Sequence, residues 1–362
     1  MIKLKHSLHY IFHLIIFSII LIGCVKDPLF NNDLIPTTDF NNGVLVVNEG
    51  PKGKEIASLT YYNPNDNVVI QNYFTYKNSF LKLGDLANDI CIVNDKCIVP
   101  VAGSGVLQVI SLPDGLTKGL ITFPKNSFPN RILKKNDSIV FVTCNNGDLL
   151  VEVNLNKYEI TKIVNTPPAP EAMAIVYNKL IVLNSGYGNL RQKEVNASTF
   201  SIYNLNDLSL IKNVPTSINP TQLIFLKSNG KFYIQSVSID NSSSEFIEYN
   251  GLTFDKERTW FFKQSLSLRH PFCIDSVNQK AYILGIDGVL AINLFSQNSQ
   301  ISNFVNNIKN TTAIDISPNG EIYVAQIDAL ASGLGKIYRY NNSGELVYQF
   351  NAGIYPGAFG FY

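Results

Sequence analysis

Seven times along this 362-residue chain a turn residue, usually Pro, is followed three positions later by an apolar residue, then by a turn, then by a run of large apolar residues. The marks are Ala87, Pro129, Pro170, Pro220, Pro271, Thr311 and Pro356, which subtraction places 42, 41, 50, 51, 40 and 45 residues apart. Their apolar partners are Ile90, Ile132, Met173, Leu223, Ile274, Ile314 and Phe359. A period of about 40–50 residues, with several short strands in each unit, is the signature of a propeller.

After six of the marks comes an Asn suited to the left-handed turn of a tight hairpin: Asn94, Asn136, Asn178, Asn229, Asn278 and Asn319. The runs that follow, such as Cys97 to Val101 and Leu180 to Leu183, are continuously apolar, as expected when both faces of a sheet are covered by neighbouring sheets. Turns such as Leu112-Pro113-Asp114-Gly115 and Asn154-Leu155-Asn156-Lys157 add a third and fourth strand, making each unit a four-stranded antiparallel meander. Pro356 leaves room for one strand only before Tyr362. The rest of that blade is found at the other end, in the Asn41-Asn42-Gly43 turn and the strands Val44 to Val47, Ser58 to Tyr62 and Val68 to Phe74. The expectation is an all-β, seven-bladed propeller whose first blade joins both termini. Such closure removes free sheet edges and leaves a monomer self-sufficient.

Lys3, Lys5 and a short apolar stretch from Tyr10 to Ile22 precede Leu21-Ile22-Gly23-Cys24. A charged start, an apolar core well under the ~20 residues of a bilayer span, and a small residue before Cys match a lipoprotein leader. The expected organisation is therefore a leader at 1–23, a linker at 24–40 behind a lipidated Cys24, and the propeller at 41–362. The lipid is the expected membrane contact. Val25 after the Cys favours sorting to the outer membrane, although the periplasmic face is the alternative to the cell surface. Without Lys3 and Lys5, 27 basic residues stand against 28 acidic ones, and no basic stripe suggests nucleic acid.

Chemistry is sparse. His270 is the one histidine outside the leader, which excludes a histidine-rich metal site and leaves little for a Ser-His-Asp arrangement. Its position just before Pro271 reads as structural or solvent-facing. Neither Cys-x-x-Cys nor Gly-x-Ser-x-Gly occurs; Ser332 to Lys336 reads as a turn and Asp240 to Glu245 as a solvated loop rather than a calcium site. No catalytic residue, metal or cofactor is assigned. Cys91 and Cys97 fall on opposite faces of one hairpin, so buried free thiols are expected.

Any binding site is expected where the loops entering the first strands gather with those joining second and third strands. The entry positions are Asn88, Asp89, Asn130, Arg131, Glu171, Thr221, Gln222, Phe272 and Thr312; the long Ser185 to Arg191 loop adds Tyr187 and Arg191, an aromatic and a cation among flexible glycines. Arg131 and Glu171 form the expected inter-blade ion pair, if they do not contact ligand.

Leu86-Ala87-Asn88-Asp89-Ile90, Pro170-Glu171-Ala172-Met173-Ala174-Ile175, Lys179 to Gly186 and Gly43 to Gly50 resemble the YncE-like propellers. They are most similar to the cell-surface lipoprotein branch of diderm bacteria that includes the BtuG-type cobalamin binders. That resemblance implies a non-enzymatic surface lipoprotein that captures a corrinoid or another small nutrient for a TonB-dependent outer-membrane transporter. It supplies no ligand-contact motif. A scaffold binding a protein or glycan is the alternative, followed by a propeller hydrolase or lyase marked by buried carboxylates or a metal at the channel mouth.

Overall fold

The computed structural model describes residues 43–188, 190–238, 243–263, 269–328 and 333–362. The leader, Cys24 and the linker lie outside the described residues, as do Asn189, the centre of the 240–245 loop and Ser332.

Seven four-stranded antiparallel sheets follow one another along the chain. In six of them the strands lie in sequence order. In the first blade Pro356–Phe361 pairs with Val44–Asn48, with Val46 opposite Phe359, so the chain closes on itself as expected. Among the six Asn-turn expectations one detail differs. Asn94 does adopt φ 53°, but at the later hairpins the left-handed residue is a neighbour: Tyr177, Gly230, Gln279 or Gly320. There the Asn serves through its side chain. Asn136 Oδ1 accepts the Ser138 and Ile139 amides, both at 2.9 Å, and Asn229 Oδ1 accepts the Lys231 amide at 3.1 Å. A short amide that caps the turn's free N–H groups does the work without bending its own backbone.

The core consists of seven apolar clusters, and each lies between two consecutive blades. Each contains one of the seven apolar partners of the marks, from Ile90 in the first to Phe359 in the closing joint. That closing joint is aromatic: Tyr62 stacks on Phe350 with centroids 4.3 Å apart and on Tyr348 at 5.7 Å. Burying one such side chain contributes about 1.5–3 kcal/mol, which reinforces a blade whose Pro356–Phe361 and Val44–Asn48 strands are joined by hydrogen bonds alone.

The expected strand Val68 to Phe74 is cut short. It stops at Ile70, Asn72 turns the chain at φ 49°, and α1 (Tyr73–Lys77) follows. Tyr73 and Phe74 are worth more buried in the first inter-blade cluster than extended at a sheet edge, and the Tyr73 hydroxyl donates to the Pro113 carbonyl at 2.8 Å. The cysteines lie as expected. Cys91 pairs with Ile98 and Ile92 with Cys97, which sends the two sulfurs into different clusters, and all four described cysteines are free.

Candidate functional site

The innermost strands share a local device that aims side chains at the channel mouth. The residue before the mark takes a left-handed conformation at Leu86, Phe128, Ala169, Asn219, Asn310 and Tyr355, with φ between 53° and 58°. After the mark the ladder slips in the first, third, fourth, fifth and seventh blades, and in the second a one-residue offset separates Ala87↔Val101 from Cys91↔Ile98. A bulge leaves its extra residue unpaired and free to point elsewhere. That residue is the entry position, and in three blades its side chain donates to the next blade. Asn88 Nδ2 donates to Asn130 Oδ1 at 2.9 Å, Asn130 Nδ2 to Glu171 Oε2 at 2.8 Å, and Thr312 Oγ1 to the Pro356 carbonyl at 2.6 Å.

The sixth blade breaks this rule. His270 has no left-handed backbone, and its carbonyl accepts the Ile314 amide at 2.9 Å. No slip follows Pro271, so Phe272 stays in the ladder opposite Ile283. Phe272 is therefore not on the loop face. It is buried between blades, edge-on to Phe246 at 4.9 Å, and this corrects its placement among the entry positions.

His270 instead turns towards the axis, where Arg131 crosses to meet it. From the third blade, Arg131 donates through Nη2 to Gln222 Oε1 in the fifth at 2.8 Å and to the Arg269 carbonyl; Nη1 lies 2.6 Å from His270 Nε2. Asp89 of the second blade completes the group: its Oδ1 is 3.2 Å from His270 Nε2 and its Oδ2 is 4.0 Å from Arg131 Nη1. Asp89 Oδ2 also accepts the Ile132 amide at 3.1 Å. Four blades are tied across the axis by one guanidinium that is 2% exposed. The expected direct pair of Arg131 with Glu171 gives way to this arrangement, because Asn130 holds the Glu171 carboxylate.

Burial works to raise the Asp89 carboxyl, but His270, Arg131 and the Ile132 amide outweigh it and hold it below the usual carboxylate range. Burial first, then Arg131, push His270 below its ordinary value. The imidazole is thus neutral near pH 7. Its Nε2 lies between Arg131 Nη1 and Asp89 Oδ1, at 2.6 and 3.2 Å, so the ring is held by both. Burial raises Glu171 against the pull of Arg131 and Arg269, and pushes Asp315, whose charge Asp89 also opposes, up to about 7. Two buried atoms in this group, Asn88 Oδ1 and Arg131 Nε, make no hydrogen bond among the described residues.

The charged groups on the outer part of the face are also paired within the protein. Arg191 grips Asp148 through two hydrogen bonds, at 2.8 and 2.6 Å, and Glu194 through two more at 2.7 Å. It braces its loop and offers no free cation to a ligand. Tyr187 alone of that expected pair is presented outward, about half exposed, with Leu190 and Val195 beyond it. On the same face a cavity of about 530 Å³ is lined by Thr216, Ser217, Ile218, Ser236, Ser238 and Glu245 among others. Three residues of the group were not among the expected site residues: His270, read from the sequence as structural or solvent-facing, and Arg269 and Glu49, whose carboxylate Oε1 takes an Arg269 N–H at 2.9 Å. The available signal was His270 beside a mark whose next residue is aromatic, where the other marks are followed by polar residues or Gly.

No family model matches the chain, and no curated protein does. Solved structures match its fold. A candidate 6-phosphogluconolactonase from Bacteroides fragilis is 12% identical, with a TM-score of 0.65 over 91% of this chain and 100% of that one. A protein from Lactobacillus plantarum is 9% identical, with a TM-score of 0.64 over 89% of this chain and 99% of that one. Virginiamycin B lyase from Staphylococcus aureus is 13% identical, with a TM-score of 0.53 over 73% and 83%. The class that fold and site define is a seven-bladed propeller with a polar group of side chains at the entry face. Enzymes occur among its structural neighbours, at identities where only the fold is shared.

Proposed function

We propose that this chain is a non-enzymatic binding propeller, anchored at the outer membrane through a lipid on Cys24 and facing the cell surface. It captures a small nutrient on the entry face and passes it to a TonB-dependent transporter. The ligand class is a corrinoid, as the family resemblance implies. The supporting observation is that the charged groups at the axis and in the 185–198 loop are held by protein partners, leaving a rigid polar floor rather than a poised acid, base or nucleophile. Around that floor, hydroxyls line a cavity and Tyr187 offers a flat ring, which suits a ligand with a polar rim and a flat face. Isothermal titration of the chain from residue 25 with cyanocobalamin and cobinamide tests the reading. Micromolar or tighter binding, weakened by Tyr187→Ala, is the expected result; no heat with either corrinoid sinks the ligand.

A propeller lyase or hydrolase is the second reading, favoured by the buried Asp89–His270 contact and by buried carboxylates at the mouth. Against it stands His270 Nε2, which is occupied by Arg131. Turnover of a lactone that is lost in His270→Gln would replace the binding reading with this one.

A further inference from the structure

On the opposite face, between the fifth and sixth blades, lies a groove of about 600 Å³. Its floor is an ion network. Glu248, fully buried, accepts from Arg258 Nε at 2.8 Å, Arg258 Nη2 at 2.5 Å, the Tyr233 hydroxyl at 2.8 Å and Lys231 Nζ at 3.2 Å. Lys231 also contacts Glu257. Two carboxylates and two cations cancel, so the groove offers a ligand no net charge.

The wall is built to hold still. Arg258 crosses from the fifth blade to the loop of the sixth, donating to the Ser296 carbonyl at 2.6 Å and the Leu294 carbonyl at 3.0 Å. Trp260, on which Arg258 stacks at 4.7 Å, donates through Nε1 to the Ser299 carbonyl at 3.1 Å. This pinned loop carries Phe295, 80% exposed, and the amides of Gln297 and Asn298; Gln279 faces them from the neighbouring hairpin side of the groove. Gln297 and Asn298 are exposed and Gln279 half-buried, and among the described residues none of the three side-chain amides is engaged.

We propose that this groove is a binding site for a neutral oligosaccharide. Each free amide supplies a donor and an acceptor side by side, the pattern that adjacent sugar hydroxyls present. An exposed aromatic ring on a braced loop gives the C–H face of a pyranose a flat apolar surface without a large ordering cost. Lys231 and Arg258 are each already paired with a carboxylate, so an acidic sugar finds no uncompensated cation in the groove. The site is independent of whatever the entry face binds.

The test is titration of the full-length chain in detergent with hexamers of glucose in α-1,4 and β-1,4 linkage, of xylose, of mannose and, as the charged control, of galacturonic acid. At least one neutral hexamer binds at millimolar concentration or below. Phe295→Ala and the double variant Gln297→Ala/Asn298→Ala each weaken it by about tenfold or more. Tyr187→Ala on the other face leaves it unchanged. Both groove substitutions fall on exposed side chains, so folding is preserved. No binding of any neutral hexamer, binding indifferent to the groove variants, or preference for the galacturonate overturns the proposal.

Discussion

Arg131 and Arg258 are the same side chain put to opposite ends. Both cross from one blade to another, both meet a buried carboxylate, and both donate to backbone carbonyls of the sixth blade or its entry loop. Arg131 sits on the axis, 2% exposed, and its guanidinium is surrounded. Arg258 sits at a blade joint, with its side chain 21% exposed and one face on Trp260, and its grip leaves three neighbouring amides unengaged. A charge shared among four blades ties them together, whereas one between two blades fixes a wall and leaves hydrogen-bonding capacity at the surface.

The comparison breaks most decisively at Arg131. Arg131→Ala leaves Asp89 buried beside a neutral imidazole and strips Gln222 of its donor. The expected loss is about 3–5 kcal/mol, the usual result of removing one partner of a buried ion pair. Urea unfolding followed by tryptophan and tyrosine fluorescence reads it. Arg131→Lys recovers little, because one ammonium cannot reach His270, Gln222 and the Arg269 carbonyl together. A loss under 1 kcal/mol would mean that this polar group is not holding the ring.

Arg258→Ala comes next, at about 1.5–3 kcal/mol, since Lys231 and Tyr233 still reach Glu248. Its sharper signature is local. Amide exchange should quicken in residues 294–299, which lose two of their three cross-blade tethers, and stay unchanged at the channel mouth. Equal quickening in both regions would erase the distinction.

Asp315 tests the axis by pH. Its folded carboxyl is raised to about 7, while the unfolded one stays near its ordinary value, so the folded state holds the extra proton between those limits. Stability from this group is therefore present at acid pH and lost as pH rises towards 7. His270, pushed below its ordinary value, works in the other direction, with stability falling as pH drops through the unfolded value and towards the folded one. Asp315→Asn should match the parent chain near pH 4 and exceed it by about 2 kcal/mol at pH 8, less than the full shift implies because the side chain is partly buried. Thermal melts at the two pH values decide; no gain at pH 8 would show that Asp315 is better solvated than its surroundings suggest.

The fold was legible because the repeat is written in residues with local consequences: a mark, an apolar residue three later, a turn Asn. Sequence also placed Asn88, Asp89, Asn130, Arg131, Glu171 and Gln222 together at the channel mouth, since each follows a mark by one or two positions. What it could not show was partnership. Arg131 and His270 are 139 residues apart, and only the ring geometry makes them neighbours. Phe272 was misplaced for a related reason. Its spacing from the mark is regular, but the sixth blade lacks the slip that frees the equivalent residue elsewhere, and an aromatic ring held in the ladder packs into the joint. The break in the local rule coincides with the one histidine in the polar group, where a departure from consistency is expected to carry a role. The leader and Cys24 lie outside the described residues, and their reading stands on the sequence.

The smallest effect is expected at Arg191, which separates bracing from binding on the entry face. Its partners Asp148 and Glu194 are partly exposed, and pairs of that kind contribute about 0.2–1 kcal/mol each. Arg191→Ala should therefore barely move global stability, yet loosen the 185–198 loop, whose turns also depend on Gln192 donating to the Ser185 and Gly188 carbonyls. Exchange in that loop should quicken severalfold, and affinity for the proposed corrinoid should fall through a faster off-rate as Tyr187 loses its fixed position. Arg191→Lys keeps a cation and loses the paired grip on two carboxylates, so it should behave like the Ala variant. If Lys restored full affinity, Arg191 would be meeting ligand charge directly, and the entry face would not be the internally paired floor that sets it apart from the groove opposite.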